Sequence, residues 1–224
     1  MATRKQADPA RAALESALTL LLVRKGAPRL KGVQICDGGR VVIDTHESCE
    51  ESATETLESL GMGCVYATGE SLSPPDWGVD VAGFGLWFES PNPHQQDEFT
   101  RAYIAAALWS TQDDSDPETG GDFLDLNYGI EDVAPESLLS IAIDCALFQL
   151  DYGVAIDSVE RVRGALCGNR ESAGHDFWLT RCGHGAGFWD GDWVEPAATI
   201  LTDASTAAGE SVPYVGLGGA IHLY

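Results

Sequence analysis

The sequence predicts an α+β protein, built from antiparallel sheet with packed helices. Two observations carry this. Short β-rich runs occur in neighbouring pairs joined by glycine-rich turns. Amphipathic stretches at helical spacing are grouped between those pairs and do not alternate regularly with single strands.

Residues 8–24 place Ala10, Leu14, Ala17, Leu18 and Leu21 on one helical stripe, with Asp8 as cap and Pro9 in the first turn. The runs "GVQIC" and "RVVID" are then separated by "DGG", which predicts a hairpin. The next segment pairs Ser48 with Glu51 at capping-box spacing and aligns Cys49, Ala53, Leu57 and Leu60 before Gly61, predicting a second helix. "CVYAT" and "GVDVAGFGLWFES", around the turn signal "SPPDWG", predict two or three further strands. "ESPNPHQQD" breaks the pattern. It divides an N-terminal α+β unit with a basic first helix, residues 1–91, from a C-terminal α+β unit, residues 92–224.

In the second unit, Phe99, Ala102, Tyr103, Ala106 and Trp109 predict a helix, and "STQDDSDPETGGDF" a solvated acidic loop without the oxygen spacing of a calcium site. Pro135 opens "PESLLSIAIDCALFQL", apolar on most of its surface and hence central to the core. A further helix is predicted over about 154–166. "FWLTRCGHGAGFWDGDW", residues 177–193, reads as a hairpin centred near Gly183, with Trp178 opposite Phe188 and Phe177 opposite Trp189. Its glycines Gly183, Gly185 and Gly187 would supply positive φ. Pro196 starts a helix that Gly209 stops after Ala208, and "VPYVGLGGAIHLY" closes the chain as a small hairpin.

Charge is the most unusual bulk property. The formal net charge is −22, unevenly divided. Residues 1–31 hold seven basic and two acidic groups, a balance of +5; the rest hold six basic and 33 acidic groups, a balance of −27. Such a body disfavours direct binding of nucleic acid, because phosphate binding needs Lys and Arg to displace counterions. It suits a partner with a basic groove, or simply solubility. The basic N-terminal segment has two options: folding back onto the acidic body or reaching a second partner.

The six cysteines, at 36, 49, 64, 145, 167 and 182, form no CxxC and read as mostly buried thiols of a reducing compartment. The apolar run "LTLLLV" is far short of the roughly 20 residues that cross a bilayer, and Glu15 and Arg24 bracket it. No membrane span and a cytoplasmic location are expected.

The segments "FTRAYIAAALWSTQDD", "LDLNYGIEDVAPESL", "HDFWLTRCGHGAGFWDGD" and "YVGLGGAIHLY" together resemble a family of small uncharacterised proteins encoded by bacteriophages and related mobile elements, over about residues 98–224. The resemblance implies a genomic setting and no particular chemistry. It also implies Asn-Gly in many relatives where this chain has Cys182-Gly183, so thiol catalysis by Cys182 would not be general to the family.

Four residues stand out as candidate site residues: His184, His175, Arg181 and Asp190, with Asp176 beside them, all gathered by the expected hairpin. One use would be His184 as base and Arg181 as an anion-orienting group. Cys182 and His184, two apart, could form a nucleophilic dyad. Cys167, His175, Cys182 and His184 are acceptable zinc ligand types without the short paired spacing such sites use. No metal or cofactor is expected, and "GHGAG" lacks the pattern of a dinucleotide loop. His46, His94 and His222 stand alone. The leading expectation is an acidic interaction protein of phage type that binds a basic host protein, possibly a nucleic-acid-binding one, as an anti-defence protein or DNA mimic. The alternatives are a small enzyme using the His/Arg/Asp cluster and a virion accessory protein.

Overall fold

The computed structural model describes residues 8–68, 75, 77, 84–115, 121–157 and 169–223. Within them the expected α+β architecture is present. α1 (Pro9–Arg24) begins where Asp8 accepts the Ala10 amide, as its sequence signals. β1 (Leu30–Ile35) and β2 (Val41–Thr45) form the first hairpin around a tight Asp37–Gly39 turn. α2 (Glu50–Ser59), β3 (Cys64–Ala67) and β4 (Leu86–Phe88) follow. The expected Ser48–Glu51 capping box is not formed. A short helical turn, Glu47–Cys49, precedes α2, and the His46 ring accepts the Ser48 amide at its start.

The four strands form one antiparallel sheet in the order β1-β2-β4-β3. Strand alternation sorts β2 into two faces. Val41 and Ile43 join Leu18, Leu21 and Leu22 of α1 and Ala53 and Leu57 of α2 in one core. Val42 turns to the opposite face, where Cys36 and Trp87 are buried with Trp77 packed against them. Burial raises the Cys36 thiol above its ordinary value.

The remaining helices are α3 (Glu98–Ser110), α4 (Pro135–Asp157), α5 (Asn169–Arg181) and α6 (Ala197–Ala208), and the chain closes with the hairpin β5 (Pro213–Val215) and β6 (Ile221–Leu223). α4 runs unbroken past residue 153, so the expected break near 151–153 does not occur. The part of the expected 154–166 helix beyond Asp157 lies outside the described residues, as do most of "SPPDWG" and the "VDVAG" run. α4 is long and apolar enough to cross a membrane by length and composition alone. Its apolar surface is covered by protein on two sides. Leu139, Ala142 and Ile143 enter the sheet core, while Leu138, Ile141, Cys145, Phe148 and Ile156 enter a second core with α3, α5 and α6. An all-round apolar helix is what two cores sharing one element require.

The basic N-terminal segment folds back. Arg11 pairs with Asp37 at 2.6 Å, Arg24 with Asp151 of α4, and Lys31 with Asp44 at 3.4 Å. Arg4 and Lys5 lie outside the described residues.

Candidate functional site

Residues 177–193 do not form a hairpin. Phe177, Trp178, Leu179 and Thr180 belong to α5, and the expected cross-strand pairs Trp178–Phe188 and Phe177–Trp189 are absent. The physical reason lies in the packing of α5 on α3. Ala173, Phe177 and Thr180 are buried at helical spacing, with Ser172, Asp176 and Leu179 on the adjoining stripe. Gly174 sits against the Phe99 carbonyl so closely that any Cβ there would collide with it. The two helices therefore touch backbone to backbone. Phe177 then stacks on Phe148, with ring centroids 4.0 Å apart, and Trp178 meets Tyr103 edge-on. Trp178 also donates its indole N–H to Ser110 Oγ at 2.8 Å.

"RCGHG" is the end of this helix. The Gly183 amide donates to the Thr180 carbonyl and the His184 amide to the Leu179 carbonyl. With Gly183 at φ 68°, this is a Schellman cap, so the glycine does have the expected positive φ but ends a helix instead of turning a hairpin. The loop that follows is held by Asp190. Its two carboxylate oxygens accept the Gly187 amide at 3.3 Å and the Asp192 amide at 3.2 Å. Phe188 is buried and packs edge-on to Trp193, while Trp189 points outward.

This geometry divides the four candidate residues. Arg181 is turned inward, its side chain only 6% exposed. Its guanidinium donates to the Gly209 and Ala208 carbonyls at the end of α6, to the Tyr103 hydroxyl at 2.8 Å and to Asp144 at 3.3 Å. It serves as a clasp between α5, α3, α4 and α6, and a helix C-terminus favours such a cation. Burial works against its charge, but Tyr103 and Asp144 outweigh that and raise its pKa. Burial also pushes the Tyr103 phenol up.

His184 and Cys182 line a cavity of about 340 Å³ with Ser110, Gln112, Trp178 and Glu210. The Cys182 thiol contacts the Ser211 carbonyl at 3.4 Å, and burial raises it above its ordinary value. That is the opposite of what an activated thiolate needs.

His175 and Asp190 line a different cavity, of about 330 Å³, with Glu171, Asp176, Asp192 and small apolar walls from Ala102, Ala105 and Ala186. His175 Nδ1 lies 3.0 Å from Asp176 Oδ1, and its ring stacks on Trp109. Asp176 is itself buried and accepts the Trp193 indole N–H at 2.6 Å.

The loop from 189 to 193 separates this acidic cavity from a third. Asp190 and Asp192 line the first; Trp189, Gly191 and Trp193 line the other, about 270 Å³, with Glu195 just before α6 and Thr199, Thr202 and Asp203 on it. No Lys or Arg among the described residues lines either cavity. Glu171, Glu195 and Asp203 carry no motif that marks them as site residues, and Trp189 is expected only as a strand-pairing aromatic. The available signal was the acid–aromatic alternation of "FWDGDWVEP", which the expected hairpin absorbed as strand.

Among the described residues, no three His, Cys, Asp or Glu side chains are grouped to hold a metal ion. Of the proposed zinc ligands, His175 is separated from Cys182 and His184 by lying in a different cavity, and Cys167 lies outside the described residues. The lone histidines His46 and His222 have local roles, one accepting the Ser48 amide and the other stacking on Tyr214. Compared with known proteins, the chain matches no family model, no curated protein and no solved structure.

Proposed function

We propose that this protein acts by binding, its acidic face occupying a basic surface on a partner protein. The observation that carries the reading is the fate of its cations. Arg11, Arg24 and Lys31 are paired to acidic residues of the body. The described arginines of the body also donate within the chain: Arg40 to the Asp37 carbonyl, Arg101 to the Gln96 carbonyl, Arg170 to Gln149 and Asp157, and Arg181 to the end of α6. Lys25 and Arg29 are exposed, but against a net charge of −22 the outward balance is acidic. A field of this sign speeds encounter with a basic partner and repels nucleic acid.

A host protein whose groove normally holds nucleic acid is the natural target, as the phage-type resemblance suggests, and the cytoplasm is the proposed setting. The enzyme alternative asks for His175, Arg181, His184 and Asp190 around one cavity. Their division between two cavities and an interior clasp supports the binding reading over it.

The test uses the full chain immobilised against host extract, with capture at low and high salt and release by duplex DNA. The expected result is capture of a basic protein that is lost at high salt and displaced by DNA, with no direct affinity of the chain for DNA. Direct DNA binding, or capture that neither salt nor DNA reverses, would overturn the proposal.

A further inference from the structure

We infer that the cavity between Trp189 and the start of α6 is a receptacle for an arginine side chain of the partner. The inference rests on the binding function proposed above and names where one partner residue is held. Two observations converge on a guanidinium. First, Trp189 is 53% exposed at the rim, and an indole face is the best aromatic partner for a cation. Second, Glu195 and Asp203 line the same cavity without any described Lys or Arg beside them.

Size and shape narrow the ligand further. At about 270 Å³ the cavity is below the roughly 300–1,000 Å³ typical of sites for whole small molecules. It suits one long side chain. A planar guanidinium can stack on an indole face while its edge N–H groups donate to a carboxylate. An ammonium has no such fork. Glu195, just before α6, is fixed in place there, because its two oxygens take the Thr199 amide and hydroxyl at 3.3 and 3.0 Å. The exposed Trp is also the residue type that most often anchors protein interfaces.

The probe is an octa-arginine peptide, with octa-citrulline as its neutral isostere, titrated into the full chain at 150 mM salt as a chosen assay condition near physiological. Alongside it, the Trp189 indole N–H resonance is followed by NMR as N-acetyl-arginine methylamide is added. The expected result is binding of octa-arginine only, weakened about tenfold by Trp189→Ala and by Asp203→Asn, and shifted less than about twofold by Glu55→Gln with Glu58→Gln on the exposed face of α2. The indole resonance should move with the arginine compound and not with its citrulline counterpart. If octa-arginine binds but Trp189→Ala has no effect and the indole resonance is still, this site is overturned and the acidic-surface reading stands. If octa-arginine does not bind even at low salt, both fall.

Discussion

Trp193 donates its indole N–H to Asp176 Oδ2 at 2.6 Å inside the C-terminal core, tying the loop after α5 to the middle of that helix. Both residues are more than 90% buried. The bond fixes the loop so that Trp189 and Asp190 face different cavities. Asp176→Ala should strand the indole N–H and destabilise the fold by about 1–3 kcal/mol, the usual cost of an unpaired buried donor. Urea unfolding of the variant beside the parent measures this. A loss near zero would mean that the loop repacks freely.

Gly174 is the close-approach point of α3 and α5. Gly174→Ala should cost about 3 kcal/mol or more, since the new methyl meets backbone rather than a flexible side chain. In an exposed helix interior the same change would stabilise by up to about 1 kcal/mol. The sign of the change in melting temperature therefore tests whether residues 169–181 are helix packed on helix.

Arg181→Ala should act on stability and not selectively on binding. Its guanidinium serves the end of α6, Tyr103 and Asp144 together, so its removal is expected to cost about 3 kcal/mol. Binding of octa-arginine by the fraction that remains folded should be unchanged within about twofold. Selective loss of binding in a protein of parental stability would place Arg181 at the interface instead.

Cys182 should behave as a partly buried, sluggish thiol. Its pKa is raised by burial, so the thiolate is scarce at neutral pH and alkylation by iodoacetamide should accelerate only as pH rises past the ordinary thiol value of about 8.5. Mass spectrometry of Cys182 across pH checks this. Cys182→Asn should leave octa-arginine binding intact.

The hydrogen bond from Arg24 holds the Asp151 carboxyl below its ordinary value. A depressed carboxylate stabilises the fold above its unfolded pKa of about 3.9, and that contribution fades as pH falls through the lower folded value. Arg24→Gln should raise the Asp151 midpoint toward about 3.9 in an NMR titration. An unmoved midpoint would show that α1 docks on α4 without this pair.

Where local rules and tertiary packing agreed, the sequence was readable. Asp8 and Pro9 start α1, "DGG" turns the first hairpin, and Gly209 stops α6 at a positive φ of 78°. All are decided within a few residues of backbone chemistry. Residues 177–193 were misread because two adjacent aromatics and three spaced glycines satisfy a hairpin as well as a helix ending in a Schellman cap. The functional consequence is large, because a hairpin would gather His175, Arg181, His184 and Asp190, and the helix separates them.

The amino-acid sequence by itself determined the α+β class, the placement of most elements, and a body of −27 set against a basic first segment. Composition and short-range pattern are enough for these. Only the tertiary structure decided that this basic segment folds back, that α4 serves two cores, that Arg181 is a clasp, and that Trp189 stands with Glu195 and Asp203 at a cavity mouth. Each depends on which surfaces meet across tens of residues, as Gly174 of α5 meets the Phe99 backbone of α3, and no local period encodes such a meeting.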